Sequence, residues 1–167
     1  TDGSSKETIN VVNPANGKDI GQVVCAQTDD VNAAVEAALN SYKSRVLVDM
    51  LPMERAKLMR SIANELRAVS KEGGKLLCHE NGKLLANAEY EFVDGANYFD
   101  YYSGMTDKLE GSTIPVNTKV VDYTLLEPYG VSGHIIPWNF PISMLARSLA
   151  CAFAAVSYTH LTLPTTD

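Results

Sequence analysis

The sequence predicts an α/β protein, and three observations carry that prediction. Amphipathic stretches with apolar residues at i, i+3, i+4 and i+7 fill the first two-thirds of the chain. Strand-like runs bracket a turn signal near the amino terminus and gather again after residue 104. One run, residues 131–136, ends against Pro137 and reads as a strand buried on both faces. The chain has 167 residues, 46% of them apolar, enough for one domain with a real core.

The elements follow in order. Residues 9–12 and 20–26 are strand-like and flank Asn13-Pro14-Ala15-Asn16-Gly17, so they predict a hairpin. Thr28 or Asp29 can cap a helix whose face carries Val31, Ala34, Val35, Ala38, Leu39 and Tyr42. Pro52 suits the first turn of the next helix. Its apolar face is Leu58, Met59, Ile62, Ala63, Leu66 and Val69, with Arg55, Lys57, Arg60, Glu65 and Arg67 mostly off it. Gly73-Gly74 interrupts the helical pattern, and residues 75–80 lead to Asn81-Gly82-Lys83.

A long helix then spans about residues 84–102, with Leu85, Ala88, Phe92, Phe99 and Tyr102 on one side. That aromatic stripe predicts helix packing rather than a cofactor box. Residues 110–116 and 120–126 read as strands. In the second, Val121, Tyr123 and Leu125 alternate with Asp122 and Thr124, the pattern of a half-exposed strand. Residues 141–155 read as an apolar helix, on whose apolar face Cys151 is expected to sit buried.

Composition narrows the function. A net charge of −6 with no basic stripe argues against a nucleic-acid partner. No stretch approaches the roughly 18 apolar residues of a membrane span. The three cysteines, Cys25, Cys78 and Cys151, form no CxxC pair, which fits a reducing, cytoplasmic setting. His79, His134 and His160 lie too far apart in sequence for metal-ligand spacing, so no metal site is expected.

The segment with chemical content is residues 127–141, EPYGVSGHIIPWNFP. Pro137 cannot donate to a central ladder, and Pro141 drives Phe140 out of the helical region. Trp138, Asn139 and Phe140 are thus held in a stiff turn just past a strand. Ligands of open α/β sheets bind beyond the carboxyl ends of strands. A fixed primary amide there can donate to a ligand oxygen. The plainer reading of the same residues is a proline-bracketed connection with Trp138 filling the core.

This string closely resembles the aldehyde dehydrogenase signature EPxGVxGxIxPWNFP. The NPANGKDIG hairpin, the MERAKLMRSIANELR helix, the ENGK turn and the GSTIP strand start resemble the family in the same order. The likeness covers about residues 9–155. It implies that residues 1–155 are the front part of a Rossmann-like NAD(P)-binding domain, truncated, with a stretch near residues 110–128 from the arm that joins subunits into a homodimer or homotetramer. It implies oxidation of a small-molecule aldehyde to a carboxylic acid with NAD or NADP, through a covalent cysteine thioester.

By position in the motif, Asn139 matches the asparagine whose side-chain amide donates to the oxyanion. Ile136, Pro137 and Trp138, with Asn139, match cofactor-lining positions. Phe140, Met144 and Arg147 match positions facing the substrate tunnel. Arg147 departs from the bulky or apolar residue many relatives carry. It reads either as an exposed arginine or as a partner for an anionic substrate tail. The family's nucleophilic cysteine, activating glutamate and Lys-Pro cofactor motif have no counterpart in this sequence, and none of its three cysteines takes the nucleophile's role. Gly130 and Gly133 form no GxGxxG loop, a fingerprint this family does without. Residues 157–167 resemble translated adapter sequence, so residues 156–167 are expected to be a non-native tail; a divergent native end is the other reading. Taken as it stands, the chain also fits a non-catalytic nucleotide-binding or assembly fragment.

Overall fold

The computed structural model describes residues 5–156 and 158–162, the last five in their backbone alone. Of the expected non-native tail, residues 157 and 163–167 lie outside the described residues. Strands β1 (Thr8–Asn13) and β2 (Lys18–Val24) form the expected antiparallel hairpin, with a bulge between Val11 and Val12. Its turn closes on Asn13: the backbone carbonyl accepts from the Gly17 N–H at 2.8 Å, and the side-chain oxygen accepts from the Ala15 N–H at 2.9 Å. Gly17 holds φ +69°, which glycine adopts without steric penalty.

Helix α1 (Thr28–Lys43) is capped by Gln27 rather than by Thr28 or Asp29. Asp30, one turn in, accepts from the Gln27 N–H at 2.9 Å. An acidic side chain at that place also meets the positive end of the helix.

Helices α2 (Pro52–Ala68), α3 (Ser70–Asn81), α4 (Leu85–Ser103) and α5 (Pro141–Ala154) build the core. Helix α4 is central and packs on the other three. The largest buried cluster joins Met59 and Ala63 of α2, Ala96 and Phe99 of α4, and Ala146, Ala150 and Ala154 of α5. Small residues let α4 and α5 approach closely: a Cβ on Gly95 would lie 3.0 Å from that of Ala146.

Two expectations about α2 and α3 fail here. Arg55 is not off the core but buried at 5% exposure, while Leu58 is exposed. The Arg55 guanidinium donates to the carbonyls of Leu47, Met50 and Thr106, the last at 3.1 Å. It thereby ties the loop before α2 to the turn after α4, and burial lowers its pKa from the usual guanidinium range. Gly73-Gly74 does not break the helix either; α3 runs through both. They are small because α4 lies against them. A Cβ on Gly74 would sit 2.8 Å from both Cα and N of Glu89. Gly74→Ala gains up to about 1 kcal/mol of helix propensity, but the backbone clash costs about 1–3 kcal/mol. A net loss of stability in thermal unfolding is expected; a variant melting higher than the parent would show that α3 and α4 separate freely.

Strands β3 (Thr113–Asn117) and β4 (Val120–Tyr123) form a second antiparallel hairpin, shorter than expected. Both of its faces are exposed, not one: Val121 is 83% and Tyr123 60% accessible. Strand β5 (Val131–Ile135) pairs in parallel with β6 (Tyr158–Thr162) across α5, a βαβ crossover. Helices α1 and α5 both pack against this pair. The expected burial of β5 on both faces does not hold. Its residues are half-buried or exposed, and only Ile136, just past it, is buried at 2%. Among the described residues β5 has one strand neighbour, so part of it stays open. Cys151 is likewise exposed rather than buried on α5.

Candidate functional site

The turn after β5 holds Pro137, Trp138, Asn139 and Phe140, all exposed. Pro141 is the first residue of α5 and has no N–H to leave unpaired. The chain therefore leaves the carboxyl end of a parallel strand, turns sharply and enters a helix amino terminus. Ile136 departs from its neighbours: its side chain is buried, so an apolar ledge for a ligand would come from Trp138, which is 68% exposed.

Groups from other elements hold this turn by its backbone. Asn81, the last residue of α3, donates its side-chain amide to the Trp138 carbonyl at 2.9 Å. The Lys83 ammonium donates to the Asn139 carbonyl at 2.8 Å and lies 4.5 Å from the centre of the Phe140 ring. Lys83 is also paired with Glu91, whose other carboxylate oxygen accepts from the Ile142 N–H at 3.2 Å. Glu91 thus caps α5 from the neighbouring helix, supplying the acceptor that no side chain of the turn provides. Glu91 is buried and Lys83 half-buried, with side-chain exposures of 3% and 12%. Sequence reasoning put neither residue at the site.

Two glycine features bring these donors into place. Gly82 caps α3 in the left-handed conformation at φ +77°. A Cβ there would also lie 2.7 Å from Cγ of Pro14 in the first hairpin. The Asn81–Lys83 turn is therefore wedged between that hairpin and the turn after β5.

Beside the turn is an open cleft of about 440 Å³, lined by α4 residues Asn87, Tyr90, Glu91 and Asp94 and by Phe140, Ser143 and Met144. Phe140 and Met144 both line this cleft. Arg147 is not among the lining residues; it is exposed on α5, where its charge acts on the Tyr102 phenol. The proximity of Cys151 raises the pKa of that phenol, and Arg147 opposes the rise.

Behind the turn, His134 of β5 bridges two hydroxyls. Its Nε2 lies 3.1 Å from Ser132 Oγ, and its Nδ1 contacts Ser148 Oγ of α5. Burial lowers its pKa from 6.5. The folded state then takes up its proton later than the unfolded state as pH falls. Stability from this group is full above pH 6.5 and is lost as pH drops through the folded pKa. His134→Gln is expected to flatten the pH dependence of unfolding below that value. An unchanged slope would exclude His134 as its source.

Among the described residues no group of three or more His, Cys, Asp or Glu side chains could hold a metal, and no helix is long and apolar enough to cross a membrane. Cys25, Cys78 and Cys151 are all free thiols.

The family model for the aldehyde dehydrogenase family matches residues 1–159. Aldehyde dehydrogenase family 2 member C4 of Arabidopsis thaliana is 36% identical over 156 residues, 92% of this chain and 31% of its own. The NAD+ complex of aldehyde dehydrogenase from Bacillus cereus superposes with a TM-score of 0.87 at 34% identity, over 94% of this chain and 32% of that one. An Escherichia coli NADP-dependent enzyme superposes with a TM-score of 0.90 at 30% identity, over 98% and 33%. The chain therefore spans about a third of the length of these relatives. With the strand, turn and helix of its signature segment in the arrangement described, the chain belongs to the aldehyde dehydrogenase family.

Proposed function

We propose that residues 1–155 act as the first part of an NAD(P)-dependent aldehyde dehydrogenase and that Asn139 donates to the oxyanion of the reaction. The observation that supports this is the exposed Asn139, held at the carboxyl end of a parallel strand and next to Phe140, which lines a cleft wide enough for a small aldehyde. When a thiolate adds to an aldehyde carbon, the carbonyl oxygen gains negative charge. A preorganised N–H donor about 3 Å from that oxygen favours the transition state over the ground state.

The residues present fit one side of a dinucleotide site. Pro137, Trp138 and Asn139 offer an exposed, partly apolar ledge beyond β5, and the backbone of Ile136 completes it. NAD or NADP, when bound, supplies the hydride acceptor. This chain's own residues contribute the ledge, the amide and part of the substrate cleft. Phe140 and Met144 would meet the substrate. Arg147 would meet only the outer end of a long or anionic substrate, since it lies outside the cleft.

The hairpin of β3 and β4, exposed on both faces, suits pairing with a second subunit in a homodimer or homotetramer. The free cysteines suit a cytoplasmic setting. Residues 156–167 are proposed to be non-native in sequence, with residues 158–162 occupying the strand position beside β5.

The test is an assembled enzyme: this segment joined to the remaining two-thirds of the family fold, taken from a relative. Formation of reduced nicotinamide and carboxylic acid from simple aldehydes is expected. An assembled enzyme that folds and binds cofactor but oxidises no aldehyde would refute the proposal.

A further inference from the structure

We infer that Asn81, Lys83 and Glu91 are positioning residues that set the place of Asn139, and that they do so by clamping the backbone of the turn on both sides of it. The inference rests on the reading of Asn139 as an oxyanion donor and extends it to residues that act through the backbone of its turn rather than on the reacting atoms.

Two points of the turn and one at the start of α5 are fixed from outside it. The Trp138 carbonyl is held by Asn81, the Asn139 carbonyl by Lys83, and the Ile142 N–H by Glu91. The two prolines restrict φ at residues 137 and 141 but leave the peptide planes between them free to rotate. Carbonyl anchors at residues 138 and 139 remove that freedom. They fix the backbone from which the Asn139 side chain departs.

Lys83 and Glu91 act as one unit. The ammonium is shared between the carboxylate and the Asn139 carbonyl, and the carboxylate is shared between the ammonium and the helix amino terminus. Burial makes these charge-assisted bonds geometrically demanding: at 3% exposure Glu91 has little water to take up a lost partner. The Phe140 ring under Lys83 holds the ammonium from another side. A side chain that lines the cleft is thereby tied to the same clamp.

The alternative is a clamp that only stabilises the fold. A double-mutant cycle separates the two, because residues that act through Asn139 lose their effect once its amide is gone. The variants are Lys83→Met/Glu91→Gln, which removes both charges together and keeps an acceptor for Ile142, and Asn81→Ala, which leaves the ion pair intact. The second keeps the test open if the first fails to fold. Each is made in the assembled enzyme with Asn139 and with Asn139→Ala, and the chemical step is followed in a single turnover.

With Asn139 present, the double variant is expected to slow that step by about 100-fold and Asn81→Ala by about 10-fold, the scale on which a displacement near 1 Å acts. In the Asn139→Ala background neither should slow it further. Parental rates in both variants would overturn the inference, as would an equal loss in the two backgrounds. A parental rate for Asn139→Ala alone would instead overturn the oxyanion reading beneath it.

Discussion

Asn139→Ala in the assembled enzyme is expected to slow the chemical step by about 100- to 1,000-fold, or about 2.7–4 kcal/mol of barrier. The size follows from where the charge appears. In the bound aldehyde the carbonyl oxygen is only a dipole; as carbon–sulfur bond formation proceeds, it becomes an anion. A donor fixed beforehand gains most of its interaction at that moment, so its removal lowers kcat and kcat/KM together. Asn139 is exposed and its side chain supports no part of the core, so alanine should leave the melting temperature close to the parent's. That separation of rate from stability is the diagnostic. Asn139→Asp has nearly the same shape but offers the oxyanion a negative charge, so it should be at least as slow. A single-turnover rate within about twofold of the parent for either variant would take Asn139 out of the mechanism.

How far the sequence revealed this arrangement depends on the kind of signal. The hairpin of β1 and β2 was legible because Asn13-Pro14-Ala15-Asn16-Gly17 is local turn chemistry, and local chemistry decides a turn. The start of α5 was legible because Pro141 can occupy only a few helix positions. The α/β class followed from periodicity, but the Rossmann-like assignment came only from the signature string. The structure reveals the βαβ unit through a pairing between strands separated by a whole helix.

The misses share one cause, which is the neighbour that composition cannot show. Gly73 and Gly74 looked like breakers, but the side chains and backbone of α4 occupy the space their Cβ atoms would need. Val121 and Tyr123 alternate as though one face were covered, yet no layer covers either face among the described residues. The buried charges were the most informative miss, and a signal was present. Ala88, Glu91, Phe92, Gly95, Ala96 and Phe99 form one helical stripe with a carboxylate inside it. Arg55 sits in the same way beside Ala56 and Met59 on α2. A charge embedded in an apolar stripe marks a buried, partnered group. Its partner could not be read: Lys83 precedes α4, eight residues from Glu91, and the two meet only through tertiary packing.

That burial sets the second large effect. Lys83→Met alone is expected to destabilise the fold by about 3–5 kcal/mol, the cost of leaving a buried charge without its partner. Methionine matches the lysine stem in length and keeps the contact with Phe140, so little of the loss is packing. The carboxylate is the source: Glu91 keeps only the Ile142 N–H and has almost no access to water. Glu91→Gln added to Lys83→Met should recover much of the loss, because the neutral amide still accepts from Ile142 and no longer carries a charge into the interior. Chemical denaturation of the parent and the two variants measures this directly. If the double variant is no more stable than Lys83→Met, the loss comes from the freed Asn139 carbonyl rather than from Glu91. If the single variant is as stable as the parent, water reaches the carboxylate and the clamp is looser than its burial implies. The expected order is parent, double variant, single variant. That order would have a consequence for the site: a pair exchanged for neutral residues at small cost in stability would have charges that serve mainly to fix the turn carrying Asn139.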